Sequence, residues 1–128
     1  MEKGIKGFAE TKSDEENTAA AMGSGNLEVF ATPSMVALME EAAAKSVQPF
    51  IGEDESTVGT LINVKHLSAT PIGMSIHAES VLEEADGKRL IFSVKAFDDT
   101  GLIGEGTHER FIIDIHRFMK KTDGKFKK

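Results

Sequence analysis

The sequence contains no cysteine, no tryptophan and no tyrosine. Without cysteine there is no disulfide, thiolate metal site or cysteine nucleophile, so a reducing compartment is the simplest environment to expect. No apolar run reaches the length of a membrane span, and the N-terminus shows no hydrophobic signal segment. We therefore expect a cytoplasmic protein with no membrane partner.

Positive charge is also scarce, because 15 Lys and Arg stand against 21 Asp and Glu, a formal net charge of −6. Nucleic-acid binding needs a basic surface and commonly stacking aromatics, so we expect no nucleic-acid partner. The exception is a lysine-rich C-terminus, which predicts either a solvated tail or a contact to the phosphates of an anionic ligand. Its lysines are Lys120, Lys121, Lys125, Lys127 and Lys128.

The 128 residues suit one domain that buries a core without covalent staples. We expect a single domain over 1–128. Within it, residues 1–13 read as an opening strand, 14–31 as a polar, lid-like loop, and 120–128 as a basic tail.

An α-helix is predicted over residues 32–48. Thr32 is a suitable N-cap and Pro33 fits the first turn, while Pro49 and Gly52 end the helix. Side chains at helical spacing make one apolar stripe, which must be buried. They are Met35, Val36, Leu38, Met39, Ala42, Ala43 and Ser46.

After the helix the hydrophobic period changes to two. It predicts strands over 58–66, 74–83, 90–96 and 103–118, with turns at Asp86-Gly87 and at 98–101. A helix with a buried stripe packs naturally on the concave face of a curled sheet. The fold class is therefore predicted as α+β, one long helix wrapped by a curled antiparallel sheet of about five strands.

Two adjacent glutamates of the helix are not equivalent. Glu41 has Lys45 at i+4, whereas Glu40 has no opposite charge at helical spacing. At about 100° per residue, Glu40 lies at the margin of the apolar stripe, while Thr32 lies inside its arc. A carboxylate there needs a hydrogen-bond donor. Glu40 is thus either a boundary residue that reaches solvent or a carboxylate that orients a catalytic group.

His66 and Thr32 are the other candidates. His66 shares a strand face with Val58, Ile62 and Val64, and points at the helix if no β-bulge intervenes. It is either a hydrogen-bonded core histidine or a general base. Thr32 either caps the helix or offers a hydroxyl where backbone N–H groups favour a developing anion.

The glycines of residues 101–106 enter a strand from a turn, so they predict bulge or close-packing positions and not a phosphate cradle. Histidines and carboxylates show no helix-type metal spacing, so no metal site is expected. His77 has the opposite parity to its apolar neighbours and is expected to face solvent.

These residues resemble the hotdog-fold acyl-CoA thioesterases, and most closely the fluoroacetyl-CoA thioesterase-like group, over residues 20–120. The similarity is strongest in 31–40, in 59–73 and in Gly104-Glu105-Gly106-Thr107-His108-Glu109-Arg110. It implies a hotdog fold that hydrolyses an acyl-CoA thioester to free acid and CoA, with no cofactor beyond the CoA of the substrate. It also implies a homodimer joined edge to edge, with the active site at the subunit boundary; pairing of dimers into tetramers stays open.

The resemblance further implies that Thr32, Glu40 and His66 are the catalytic set and that Gly59 and Arg110 contact substrate. His66 would be the base and Glu40 its orienting carboxylate. Thr32 would lie near the reacting carbonyl, either positioning water or acting as a nucleophile.

One departure from that group concerns substrate choice. Its fluoroacetyl-selective member carries phenylalanines just before the helix, where this chain reads Met22-Gly23-Ser24-Gly25-Asn26. A different acyl group is therefore expected. Two alternatives are a hotdog 3-hydroxyacyl thioester dehydratase, whose motif is not found, and a non-catalytic acyl-CoA-binding protein, whose usual fused DNA-binding unit does not fit within residues 1–31.

Overall fold

One antiparallel sheet curls around one long helix in the computed structural model, which describes residues 1–127. The sheet has the strand order β1-β3-β4-β5-β2, and this architecture confirms the predicted fold class. The elements in chain order are β1 (Lys6–Lys12), α1 (Ala19–Met22), α2 (Thr32–Val47), β2 (Glu55–His66), β3 (Ser75–Asp86), β4 (Arg89–Asp98), β5 (Gly101–Asp114) and α3 (Ile115–Asp123), with short 3-10 turns at Gln48–Phe50 and Gly124–Lys127.

Helix α2 forms the centre of the core, as its apolar stripe predicts. Its buried side chains pack against the inward residues of the sheet, such as Ile76, Leu82, Phe92 and Val94. This burial is the main favourable term that fixes the helix on the sheet. The buried residues of α2 are Met35, Leu38, Met39, Ala42, Ala43 and Val47.

The start of α2 differs from the prediction in one respect. Ala31 is the N-cap, and Thr32 and Pro33 are the first two helical residues. The cap makes no side-chain hydrogen bond to the helix. Thr32 is therefore not the cap, and its hydroxyl is free for another partner.

Two segments hold helices that the sequence pattern did not predict. The loop 14–31 contains the short helix α1, capped by Thr18 and ended by Gly23 at φ +71°. The predicted strand 103–118 ends at Asp114, because that side chain accepts from the Arg117 amide at 3.0 Å and caps α3.

The lysine-rich segment continues from α3 into the turn Gly124–Lys127, where the described residues are exposed; Lys128 lies outside the described residues. Within 1–127, no helix is both long and apolar enough to cross a lipid bilayer.

A β-bulge at Thr60 divides β2. Gly59 pairs with Arg110 and Leu61 with Glu109, so Thr60 is the extra residue. Because the bulge reverses the parity, Val58 pairs with Phe111 on the outer face, and its predicted place beside His66 is wrong. The prediction that His66 points at the helix is confirmed by its contact with Thr32.

The close-packing prediction for Gly104 and Gly106 is confirmed. A Cβ on Gly104 would lie 2.8 Å from Met35 Cε, and one on Gly106 would lie 2.6 Å from Val64 Cα and overlap the Asn63 carbonyl. A second bulge at Ile103, between the pairs Ala96–Gly104 and Phe97–Leu102, accompanies this approach.

Gly106→Ala is expected to destabilise the fold by about 1–3 kcal/mol, because the added methyl meets backbone that cannot yield. Gly25→Ala is the matched control, since its Cβ would meet only Ala19 Cβ at an ordinary 3.5 Å. Urea unfolding of both variants measures the difference. Equal midpoints for the two would contradict the packing argument.

Candidate functional site

Thr32 and His66 are in direct contact. The Thr32 Oγ1 and His66 Nδ1 atoms lie 2.7 Å apart, a short hydrogen bond. Thr32 stands in the first turn of α2, and His66 is the last residue of β2, so the helix start and the strand end meet here. The hydroxyl can take part because Ala31, and not Thr32, occupies the cap position.

Burial lowers the pKa of His66 below its ordinary value of 6.5, and the nearby backbone of Ser68 opposes part of that shift. The ring is therefore neutral near pH 7 and holds one proton. Nε2 is buried and makes no hydrogen bond of normal geometry to the residues 1–127. When the Thr32 hydroxyl donates to Nδ1, Nε2 carries the proton and lacks an acceptor.

A cleft of about 280 Å³ opens over this pair. Helix α1 and the segment that follows β2 form its walls. Of the stretch 22–26, only Ser24 reaches the cleft, and the one aromatic ring at its lining, Phe30, is itself buried. The full lining is Ala19, Ser24, Val29, Phe30, Thr32, His66, Leu67, Ser68 and Ala69.

A second group of polar residues, which we call the Glu40 cluster, consists of Glu40, Gly59, His108 and Arg110. Glu40 Oε2 lies 3.9 Å from Arg110 Nη1. A Cβ on Gly59 would lie 2.9 Å from the same carboxylate oxygen, so the glycine leaves room for it. Glu41 instead pairs with Lys45 at 2.9 Å, as its spacing predicts. A smaller cleft of about 190 Å³ adjoins the Glu40 cluster.

The two groups lie at different positions along β2 and α2: one where α2 begins and β2 ends, the other near the middle of α2 and in the first half of β2. Gly59 and His66 are separated by roughly 23 Å of strand at about 3.3 Å per residue. Thr32 and Glu40 are two helical turns apart, roughly 12 Å. Within one chain, the structure therefore brings Thr32 and His66 together and leaves Glu40 apart from them, with Gly59 and Arg110.

Comparison with known proteins identifies the family of this chain. Residues 14–116 match the model of a family described as fluoroacetyl-CoA-specific thioesterase. The fluoroacetyl-CoA thioesterase of Streptantibioticus cattleyicolor is 42% identical over 94 residues, covering 73% of this chain and 68% of that protein. The chain belongs to the fluoroacetyl-CoA-specific thioesterase family. It is thus an acyl-CoA thioesterase, a thioester hydrolase.

Solved structures agree with this membership. A fluoroacetyl-CoA thioesterase structure superposes with a TM-score of 0.91 at 33% identity, over 98% of this chain and 97% of that chain. A thioesterase superfamily member from Thermus thermophilus gives 0.88 at 27% identity, over 98% and 96%. The hotdog fold implied by the sequence is confirmed.

His108 is the polar residue of this thioesterase fold that the sequence analysis missed. Its side chain is 1% exposed, with Nδ1 at 2.8 Å from the Leu61 carbonyl and Nε2 at 3.2 Å from Arg110 Nη1. His108 and Arg110 are two residues apart on β5 and face the same side. This spacing of two was the available sequence signal that the two side chains share a face. The partners of these residues on β2 could not be predicted, because the bulge at Thr60 shifts the register of that strand.

We predict that the free energy of unfolding falls as the pH is lowered below about 6.5. Burial lowers the pKa of both His66 and His108, so the unfolded chain binds these protons more readily than the folded one. The contribution of these two neutral rings to the free energy of unfolding is fully present above the ordinary histidine pKa and decreases below it. Urea unfolding between about pH 7.5 and pH 5 measures the slope.

His108→Gln removes one of the two titrating groups, so the free energy of unfolding is expected to change less steeply with pH than in the wild type. Parallel curves for the variant and the wild type would contradict the assignment of a neutral, buried His108.

Proposed function

We propose that the chain hydrolyses an acyl-CoA thioester to free acid and CoA at a site shared by two copies. Thr32 and His66 come from one copy and Glu40 from the other. The observation that carries the proposal is the 2.7 Å hydrogen bond between Thr32 and His66 at the start of a buried helix.

The chemistry follows from the surroundings of this pair. Neutral His66 accepts a proton from the Thr32 hydroxyl, or from a water that Thr32 positions, and the oxygen attacks the thioester carbon. The first amides of α2 lack intrahelical partners, so those of Thr32 and Ser34 stabilise the oxyanion. The C–S bond then breaks, and His66 returns the proton to the departing CoA thiolate. Where Thr32 itself attacks, the acyl group is left as an ester on its oxygen, and a water that His66 deprotonates cleaves that ester to the free acid and restores the hydroxyl.

Edge pairing of β2 supplies the missing carboxylate. This strand lies at the sheet edge, and Leu61 and Ile62 at its middle are 44% and 39% exposed. Exposed edges of this length are commonly covered by another strand. Antiparallel pairing about a twofold axis between Ile62 and Asn63 sets Gly59 of one copy opposite His66 of the other.

Such a dimer brings the Glu40 cluster of one copy to the Thr32–His66 pair of the other. The Glu40 carboxylate is then the acceptor that the ring proton of His66 lacks in its own chain, and it stabilises the charged ring. Gly59 leaves space for the substrate, and Arg110 adds positive charge. The clefts of about 280 and 190 Å³ are each below the roughly 300–1,000 Å³ of small-molecule sites, so joining them is consistent with one substrate site.

The acyl group is proposed to differ from fluoroacetyl. No aromatic side chain of residues 22–26 enters the cleft, and Ser24 is the residue of that stretch at its lining. The stretch before the helix therefore contributes one small polar side chain to the cleft and no ring with which to sense a fluorinated carbon.

Thiol release from acyl-CoAs of increasing chain length tests the proposal and names the substrate. We expect hydrolysis by the wild type and a loss of about 10²–10⁴ in turnover for His66→Ala, the usual contribution of a general base. Hydration or dehydration of a 3-hydroxyacyl-CoA without thiol release would identify a dehydratase instead. Binding without turnover would identify an acyl-CoA-binding protein.

Subunit mixing tests the shared site. Glu40→Gln and His66→Ala are each expected to be nearly inactive, while Glu41→Gln, the matched control, keeps its activity because Glu41 only pairs with Lys45. Exchange of subunits between the two inactive variants is expected to restore about a quarter of wild-type activity, since half the dimers are mixed and each has one intact site. No recovery on mixing would show that Glu40 does not act across the boundary.

A further inference from the structure

His108 has no part in the reaction proposed above, yet it is the most completely buried histidine of the described chain. Its ring stacks under Phe92 at a centroid distance of 6.0 Å, and both ring nitrogens have partners. A buried ring whose two nitrogens are both hydrogen-bonded is held in one orientation, and it holds its partners in place in turn.

The two partners of His108 allow only one tautomer. The Leu61 carbonyl can only accept, so Nδ1 carries the hydrogen of that 2.8 Å bond. The Arg110 guanidinium can only donate, so Nε2 accepts the 3.2 Å bond without a hydrogen of its own. The ring is therefore neutral, in keeping with the burial that lowers the pKa of His108.

His108 completes the set of groups that hold Arg110. The guanidinium donates from Nε to Thr57 Oγ1 at 2.8 Å and from Nη2 to the Thr57 carbonyl at 2.9 Å. His108 takes the remaining side through Nη1. Glu40 lies 3.9 Å from that same nitrogen, well beyond the roughly 2.7–2.9 Å of a direct charged hydrogen bond.

We propose that His108 is a positioning residue that holds the Arg110 guanidinium back from Glu40. The inference rests on the proposed role of Glu40 in the reaction. With Nη1 engaged by His108, Arg110 lies 3.9 Å from Glu40 but does not bind it directly, so the carboxylate stays free to meet His66 of a second copy. Without the acceptor at Nε2, Nη1 closes on Glu40 and captures it in a direct ion pair.

Two substitutions separate the two hydrogen bonds of His108. The amide nitrogen of His108→Asn replaces Nδ1 and keeps the bond to Leu61, but offers Arg110 no acceptor. The longer side chain of His108→Gln places an amide oxygen near the position of Nε2 and restores that acceptor. We expect kcat on acyl-CoA to fall about 10–100-fold for the Asn variant, as for lost supporting hydrogen bonds at metal sites, with KM little changed. The Gln variant is expected to recover most of that loss.

His77 is the matched control, because its ring lies on the outer face of the sheet between Phe8 and Phe97, at 5.3 and 4.9 Å. His77→Asn is expected to leave kcat unchanged. The double variant of His108→Asn and Glu40→Gln is expected to be as active as Glu40→Gln alone, because the effect of His108 acts through the carboxylate that Glu40→Gln removes.

Several results would overturn the inference. A purely structural His108 would lower the melting temperature of both variants and leave kcat per folded molecule equal in the two. Full additivity of His108→Asn and Glu40→Gln, or nitrogen-15 NMR of the wild type showing the proton on Nε2, would also contradict it. Failure of the proposed function is separate, since the wild type would then release no thiol from any acyl-CoA.

Discussion

Burial of one face of α2 in the curled sheet determines where every candidate site residue lies. The buried residues from Met35 to Val47 set the position of the helix on the sheet. Thr32 and Glu40 are two helical turns apart, so Thr32 meets the last residue of β2 while Glu40 lies beside Gly59, seven residues earlier in that strand. The same packing that stabilises the fold therefore places the two groups of candidate site residues at different positions along one strand.

His66 and Arg110, the main polar groups of the two parts of the candidate site, differ in burial and in the number of hydrogen bonds that hold them. His66 is partly shielded and held by one short bond to a hydroxyl, so it remains able to exchange a proton. Arg110 is almost fully enclosed, 9% exposed, and bonded on three sides, so it acts as a fixed charge. A hydrolytic site must transfer a proton and must bind an anionic substrate. In the proposed site, His66 meets the first requirement and the fixed charge of Arg110 meets the second.

Much of the fold was predictable because its signals are local. The apolar stripe of α2 and the Asp86-Gly87 turn depend on neighbours in sequence, and both predictions are confirmed. The bulge at Thr60 was not predicted, because a bulge has no local period. Helix α3 was included in the predicted strand 103–118, although Asp114 is a local cap and Ile115, Phe118 and Met119 recur at helical spacing. The inward direction of His66 follows from its alternation with Ile62 and Val64, because the bulge at Thr60 precedes all three. Its contact with Thr32 and its distance from Glu40 depend on how the helix is placed on the sheet.

The uncapped start of α2 has a consequence for turnover. Ala31 supplies no side-chain acceptor, so the first amides of the helix are left for whatever enters the cleft. These donors favour a reacting carbonyl as it gains negative charge, but hydrolysis ends in a carboxylate that carries the same charge permanently. In the proposed reaction, the acid product therefore competes for the same amides that assist its formation, and the binding that promotes bond cleavage also opposes product release.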